Sequence, residues 1–385
     1  MTNPQSAAPQ PFAHSGIKII DVTLTVFRWT GLPRVTYTRN STAGTGEANI
    51  GLVTIKTDAG IDGHSFLGSS FRPVDIDARG FIDNLKPIVM GQNPFDRERL
   101  YRAMMTQNRS IMFRPIGAMD IALWDIAGKA AGLPISRLIG TNRPSIRAYA
   151  SSSTLHTVQD YVDQALESKA AGYHAYKMHP PKDKSLHIPM LEKCREAVGD
   201  NYTLMYDPAA IYSYGEAVKI GRVLERLDYA WYEDPLPVDD LYNYAKLCAE
   251  LDIPVVSTEY SWGGFLGYAA WISARATDAL RGDVALKGGI TGVLKSAHLA
   301  EGFNMNYELH HGGNSLNNIA NAHVALGIQN CDYFEVILPH TAQKYGLVKE
   351  LELNADGTIS PPDGPGLGAE IDFDLIKRMQ VEVMS

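Results

Sequence analysis

The chain has 385 residues, 45% hydrophobic and 20% charged, a length that accommodates two domains or one barrel with an added domain. Its formal net charge of −8 argues against a nucleic-acid surface or an anionic membrane as partner, but allows a local cationic site for a small anion. Cys194, Cys248 and Cys331 are odd in number and lack CxxC spacing, which speaks against a disulfide framework or structural zinc and fits a reducing cytoplasm, and no apolar run reaches the roughly 18 residues of a membrane span.

Residues 1–15 (MTNPQSAAPQPFAHS) lack a basic start followed by an apolar stretch and read as a disordered tail. Residues 17–140 look mixed α+β. Strands are expected at 17–29 and 50–57, and helical patterns at 74–90 and 97–107. A strong helix is expected at 115–131 (PIGAMDIALWDIAGKAA), with Pro115 at its start and Gly132 then Pro134 at its stop.

From Ile146 the rhythm changes. Short apolar strands alternate with helix-length amphipathic stretches, which implies a parallel sheet, doubly wound or closed into a barrel. The expected strands are IRAYASS, HAYKMH, YTLMYD, YAWYED, IPVVSTE, the Asp283 segment DVALK, MNYELHH and YFEVIL. Nearly every one ends in a group capable of chemistry: Lys177 and His179, Asp207, Glu233, Glu259, Asp283, His310 and Glu335. They recur at intervals of roughly 24 to 30 residues. One reactive group per β-α unit at the strand's C-terminal end favours the barrel, because those ends meet at one mouth; an open sheet would spread them along a line.

Asp207, Glu233 and Glu259 would converge on three successive strands. Three bare carboxylates at that distance repel unless a cation sits among them. Oxygen-only ligands suit Mg²⁺, and Mn²⁺ is compatible. On one side stand Lys177 and His179, on the other Asp283 and His310. An aspartate beside a histidine orients the imidazole and raises its basicity. A cation flanked by bases suggests removal of a proton next to a carboxylate, through a metal-stabilised enediolate. Strand alternation admits only one of His310 and His311 to the mouth, and His310 is preferred. Lys287 is a secondary cation near this rim.

The ordered set GAMDIALWDIAGKAAGLPISRLIG, K-x-H at 177–179, MYDP, YEDP, STEY and DVALKGGITG, with Asp283, His310 and Glu335 in sequence, resembles the enolase superfamily and within it the mandelate racemase subgroup. The resemblance runs from about residue 17 to the C-terminus. It implies a (β/α)₇β TIM-like barrel over residues 141–345. An α+β capping domain would be built from residues 16–140 and completed by residues 346–385. It also implies that Asp207, Glu233 and Glu259 ligate Mg²⁺, and that His310, oriented by Asp283, is the base on one face. Glu335 would bond the substrate carboxylate, with Lys177 as the cation near it. His179 departs from the family, standing where a second lysine usually serves as the opposite-face base. Ala209 is a second departure, replacing an asparagine that touches substrate in many relatives.

Tyr206 and Tyr232 are expected to pack outward into the helix layer. Tyr260 and Trp262 follow Glu259 into a loop and are candidate substrate contacts, as are Arg34, Tyr37 and Arg39 in the polar segment 34–46. The segment 64–71 would also contribute to specificity. The resemblance points to dehydration of a sugar acid to a 2-keto-3-deoxy acid. Its alternatives are racemisation or epimerisation, and cycloisomerisation of an anhydro sugar acid or lactone. A non-catalytic relative would be marked by loss of a metal ligand or of the Asp–His pair, and none is lost. Hydrolysis at a barrel metal site would call for histidine ligands, which the trio lacks. The implied partner is a small carboxylate, the location cytoplasmic and the assembly a homo-oligomer.

Overall fold

The computed structural model describes residues 16–37 and 46–385. The tail 1–15 and the lid residue Arg39 lie outside them. Strands β1 (Ile19–Thr30) and β2 (Glu47–Thr57) pair antiparallel, with Leu24 opposite Val53, and β2 continues into β3 (Gly63–Leu67). In β1 the residues Val22, Leu24 and Val26 are buried at every second position, so one face of the sheet turns inward. The C-terminal strand Gln380–Met384 pairs antiparallel with β1 and completes this sheet.

The helix Phe113–Ala131 packs beneath the sheet. Pro115 lies in its first turn, where no donor is lost, and Gly132 ends it with φ 65°. It is buried almost all round, as expected of a helix between two layers. Gly117 sits where an added Cβ would lie 2.4 Å from the Val284 carbonyl oxygen, so only glycine lets the helix approach the loop that carries Asp283.

The second layer is a parallel sheet: β4 (Ile146–Ser151), β5 (Ala175–Met178), β6 (Thr203–Tyr206), β7 (Tyr232–Glu233), β8 (Val255–Ser257), β9 (Ala279–Gly282), β10 (Asn306–Leu309) and β11 (Tyr333–Ile337). The order is β10-β9-β8-β7-β6-β5-β4-β11, and β10 lies against β11, so the sheet nearly closes into a barrel. Helices follow the strands, and Tyr206 and Tyr232 stack at 6.0 Å between sheet and helices. Among the described residues no helix is long and apolar enough to cross a membrane.

One expected strand is displaced. DVALK is a turn, and the strand is Ala279–Gly282 just before it. The alternation of Val284 and Leu286 imitates a strand. The backbone partners decide otherwise, since Ala279 pairs with Asn306 and Gly282 with Leu309.

A buried histidine ties the layers together. His323 Nε2–H donates to the Leu367 carbonyl at 3.1 Å, and Nδ1 accepts the Ser136 N–H at 3.3 Å. Burial lowers its pKa from 6.5 to about 4. The unfolded chain therefore takes up a proton near pH 6.5 that the folded chain refuses until about pH 4. The stability present above the first value is lost as pH falls through the second, by roughly 3 kcal/mol. In urea unfolding at pH 7 and pH 4.5, His323→Gln should flatten this acid loss. An unchanged pH slope would rule the assignment out.

Candidate active site

The C-terminal ends of the strands converge under the cap. Lys177 lies in β5 and His179 one residue beyond it. Asp207 follows β6, Glu233 ends β7, Glu259 lies two past β8, Asp283 follows β9, His310 follows β10 and Glu335 lies within β11. Each is buried.

Asp207, Glu233 and Glu259 present oxygens within 4.8 Å of one another. Burial pushes the Glu259 carboxyl well up; Arg281 opposes this, and Glu233, Asp234 and Asp207 add to it. Burial raises Glu233 too, against Arg281 and Lys177. At Asp207 burial is outweighed by His179 and Lys177, which hold the carboxyl low. Lys177 Nζ lies 2.9 Å from Glu233, 2.8 Å from Glu335 and 3.5 Å from Asp207. Arg281 Nε lies 2.5 Å from Glu233, and its Nη2 donates to Glu335 at 2.6 Å and to Tyr149 at 2.9 Å. Four carboxylates thus share two cations. The deficit is two positive charges, and an all-oxygen donor set with that deficit fits a divalent cation.

The imidazoles stand on two flanks of the trio. His310 Nδ1–H donates to Asp283 Oδ2 at 2.6 Å, and Nε2 lies 3.0 Å from Glu259. Asp283 Oδ1 accepts the N–H groups of Ala285 and Leu286. Burial holds His310 well below its usual pKa, with Glu335 opposing and Arg281 and Lys177 adding, so the ring is neutral. His179 is different. Its Nδ1 faces the Ser152 carbonyl at 2.6 Å and its Nε2 faces Asp207 Oδ2 at 3.0 Å. Both ring nitrogens thus meet oxygens.

Tyr37 joins this flank, its ring edge-on to His179 at 5.7 Å and its hydroxyl donating to the Leu338 carbonyl. Tyr260 lines the cavity beside His310. Two expected contacts are corrected. Trp262 is 64% exposed and does not line the cavity, because the loop turns it to solvent. Arg34 is exposed, its guanidinium near Gly46 and not in the cavity. His310 and His311 both line the cavity, with ring centroids 3.8 Å apart. Alternation fails there because β10 ends at Leu309. His311 instead meets Gln343 through Nδ1, leaving the carboxylate partner to His310. Lys287 turns away from the cavity to donate to the carbonyls of Thr258 and Ser261 at 2.8 and 3.0 Å. That clasp holds Thr258 at φ 89°, a backbone region β-branched residues avoid, immediately before Glu259.

Sequence reading missed Arg281, Tyr149, Arg72, Arg114 and Asp234. The first had a usable signal: two residues before Asp283 on a strand, it shares Asp283's side. Asp234 lines the cavity, its carboxyl raised first by burial and then by Asp207 and Glu233.

Residues 21–140 match the mandelate racemase / muconate lactonizing enzyme N-terminal domain, and residues 160–375 the enolase C-terminal domain-like family. The chain is 31% identical over 312 residues to a D-galactarolactone cycloisomerase of Agrobacterium fabrum, covering 76% of this chain and 82% of that protein. It is 29% identical over 298 residues to an arabinonate dehydratase of Saccharolobus solfataricus, covering 74% and 79%. The crystal structure of D-glucarate dehydratase from Agrobacterium tumefaciens complexed with magnesium superposes with a TM-score of 0.85 at 32% identity, covering 96% of this chain and all of that one. With both domains matched across most of its length, the chain belongs to the mandelate racemase / muconate lactonizing enzyme family of the enolase superfamily.

Proposed function

We propose that this chain removes the proton alpha to the carboxylate of a sugar acid and dehydrates it to a 2-keto-3-deoxy acid. The observation that carries the reading is a pair of buried imidazoles on opposite flanks of the acidic trio, one of them oriented by a buried aspartate. His310 is oriented by Asp283 through Nδ1 and held neutral by burial, the form of a base. His179, on the other flank, has Nε2 beside Asp207 and stands where a proton can be delivered to a leaving hydroxyl. The names of relatives support the same class, since they include dehydratases and cycloisomerases of sugar acids.

Asp207, Glu233 and Glu259 would hold the cation, with Mg²⁺ favoured by the oxygen donors and by the magnesium named in the glucarate dehydratase structure. When bound, it supplies positive charge to the substrate carboxylate as the enediolate forms. Lys177 and Glu335 face the same carboxylate. His310 Nε2 takes the proton from carbon 2, and the C–H electrons pass into the enediolate. His179 gives a proton to the hydroxyl on carbon 3, which leaves as water. The resulting enol tautomerises to the keto acid. Expulsion of a ring oxygen instead gives cycloisomerisation, and return of the proton to the opposite face gives racemisation or epimerisation. A cytoplasmic homo-oligomer is the expected setting, checked by light scattering on the purified protein and by fractionation.

The test is proton NMR in D₂O with Mg²⁺ and a panel of sugar acids and lactones. Loss of the carbon-2 hydrogen with a new methylene at carbon 3 supports dehydration. Exchange without elimination moves the reading to racemisation. No exchange in any acid, with Mg²⁺ bound, removes it. Mg²⁺ should also raise the melting temperature, and EDTA should abolish turnover reversibly. Full activity after exhaustive chelation contradicts the metal site.

A further inference from the structure

The cavity above the trio has a volume of about 420 Å³. Acids form its floor and imidazoles its flanks. Its roof comes from the cap and includes Phe71, Arg72 and Arg114. Arg72 follows β3, and Arg114 lies in the first turn of the helix Phe113–Ala131. No hydrogen bond or ion pair ties either guanidinium to a described residue. The residues outside that set contain no Asp or Glu to supply one.

The two arginines that are buried among the described residues, Arg195 and Arg281, both have partners. Arg281 is met by Glu233, Glu335 and Tyr149, and Arg195 by the carbonyls of Gly199, Tyr202, Leu227 and Asp228. Arg114 is instead held below its usual pKa by burial first and by Arg72 second, so two like charges crowd one wall. Tyr260, Asp77 and Asp283 also reach it electrostatically. Asp77 forms no ion pair with either arginine, and its buried Oδ2 has no donor. Asp283 is committed to His310 and to two backbone N–H groups.

We propose that Arg72 and Arg114 form a subsite for a second carboxylate at the far end of the substrate, so that the substrate is a sugar diacid. This rests on the proton-abstraction reading, with one carboxylate at the trio and the other under the arginines. Guanidinium forks match a carboxylate's two oxygens, and the anion relieves the repulsion between them. The cavity size suits a small ligand held at both ends.

The test pairs each six-carbon diacid with its monoacid: galactarate with galactonate, and glucarate with gluconate. A 6-phosphogluconate arm separates carboxylate from phosphate. Turnover is read by NMR and binding by calorimetry with Mg²⁺, on the wild type and on Arg72→Gln and Arg114→Gln variants whose melting temperatures match it. The diacid should exceed its monoacid in kcat/KM by about ten- to a hundredfold, mainly through KM. Each variant should lose most of that advantage, with the loss falling more heavily on the diacid than on the monoacid. Equal or better use of the monoacid, a preference for the phosphate ester, or equal losses on both acids overturns the subsite. If no acid reacts, proton abstraction fails separately. Binding then decides: a diacid preference lost in Arg114→Gln supports the subsite, and no preference across the panel overturns it.

Discussion

Asparagine in place of His310 is expected to stop exchange of the carbon-2 hydrogen, while asparagine in place of His179 is expected to leave exchange and stop elimination. The first loss should be about 10²–10⁴-fold, the usual contribution of a positioned base. The asymmetry follows from the ring partners. Asp283 fixes the His310 tautomer so that Nε2, beside Glu259, carries the lone pair, whereas His179 is tied to the Ser152 carbonyl and to Asp207 on the opposite flank. With His179 gone, the proton still reaches His310, the enediolate still forms, and deuterium returns at carbon 2. Water cannot leave without its acid. The measurement is deuterium incorporation against methylene formation in each variant. Loss of exchange in the His179 variant with retention in the His310 variant would reverse the two roles.

Methionine in place of Arg281 should destabilise the protein strongly without Mg²⁺ and much less with it. Arg281 is fully buried between Glu233 and Glu335, with Glu259 at 3.7 Å. Removing one partner of a buried ion pair costs about 3–5 kcal/mol, because the remaining charge keeps its desolvation penalty. Lys177 would then be left as the cation facing Asp207, Glu233 and Glu335. Melting temperature in EDTA should fall by roughly 4–6 °C. A divalent cation offers the same acids a new partner, so Mg²⁺ should close part of the gap and bind the variant more tightly than the wild type. Equal melting curves with and without Mg²⁺ would show that Arg281 does not balance these acids.

How much of this was legible in the sequence depends on whether local pattern or tertiary approach decides each feature. The trio was legible because each acid ends an apolar strand, and strand ends in a barrel meet by topology alone. Arg281 was hidden by one misplaced strand, since DVALK alternates as a strand would and drew the boundary past it. Arg72 and Arg114 had no local signal. They reach the cavity only because the cap settles over the barrel mouth, a contact between segments far apart in the chain. Lys287 and Trp262 failed for the converse reason. Their positions near the rim were apparent, but side-chain direction was set by unpaired carbonyls in one case and by loop geometry in the other.

The cap sheet is sewn shut by Gln380–Met384 on β1, with the Arg28 N–H meeting the Met379 carbonyl beside the seam. During synthesis, β1 leaves the ribosome long before its partner exists, and every barrel strand is made in between. β1 must therefore wait with an open edge, and such edges invite pairing with other chains. The nascent protein should be most prone to aggregate when the barrel is finished and the last strand is still in the tunnel. A stalled chain ending before residue 380 should bind chaperone more strongly than the released protein, and adding the final strand should end that dependence.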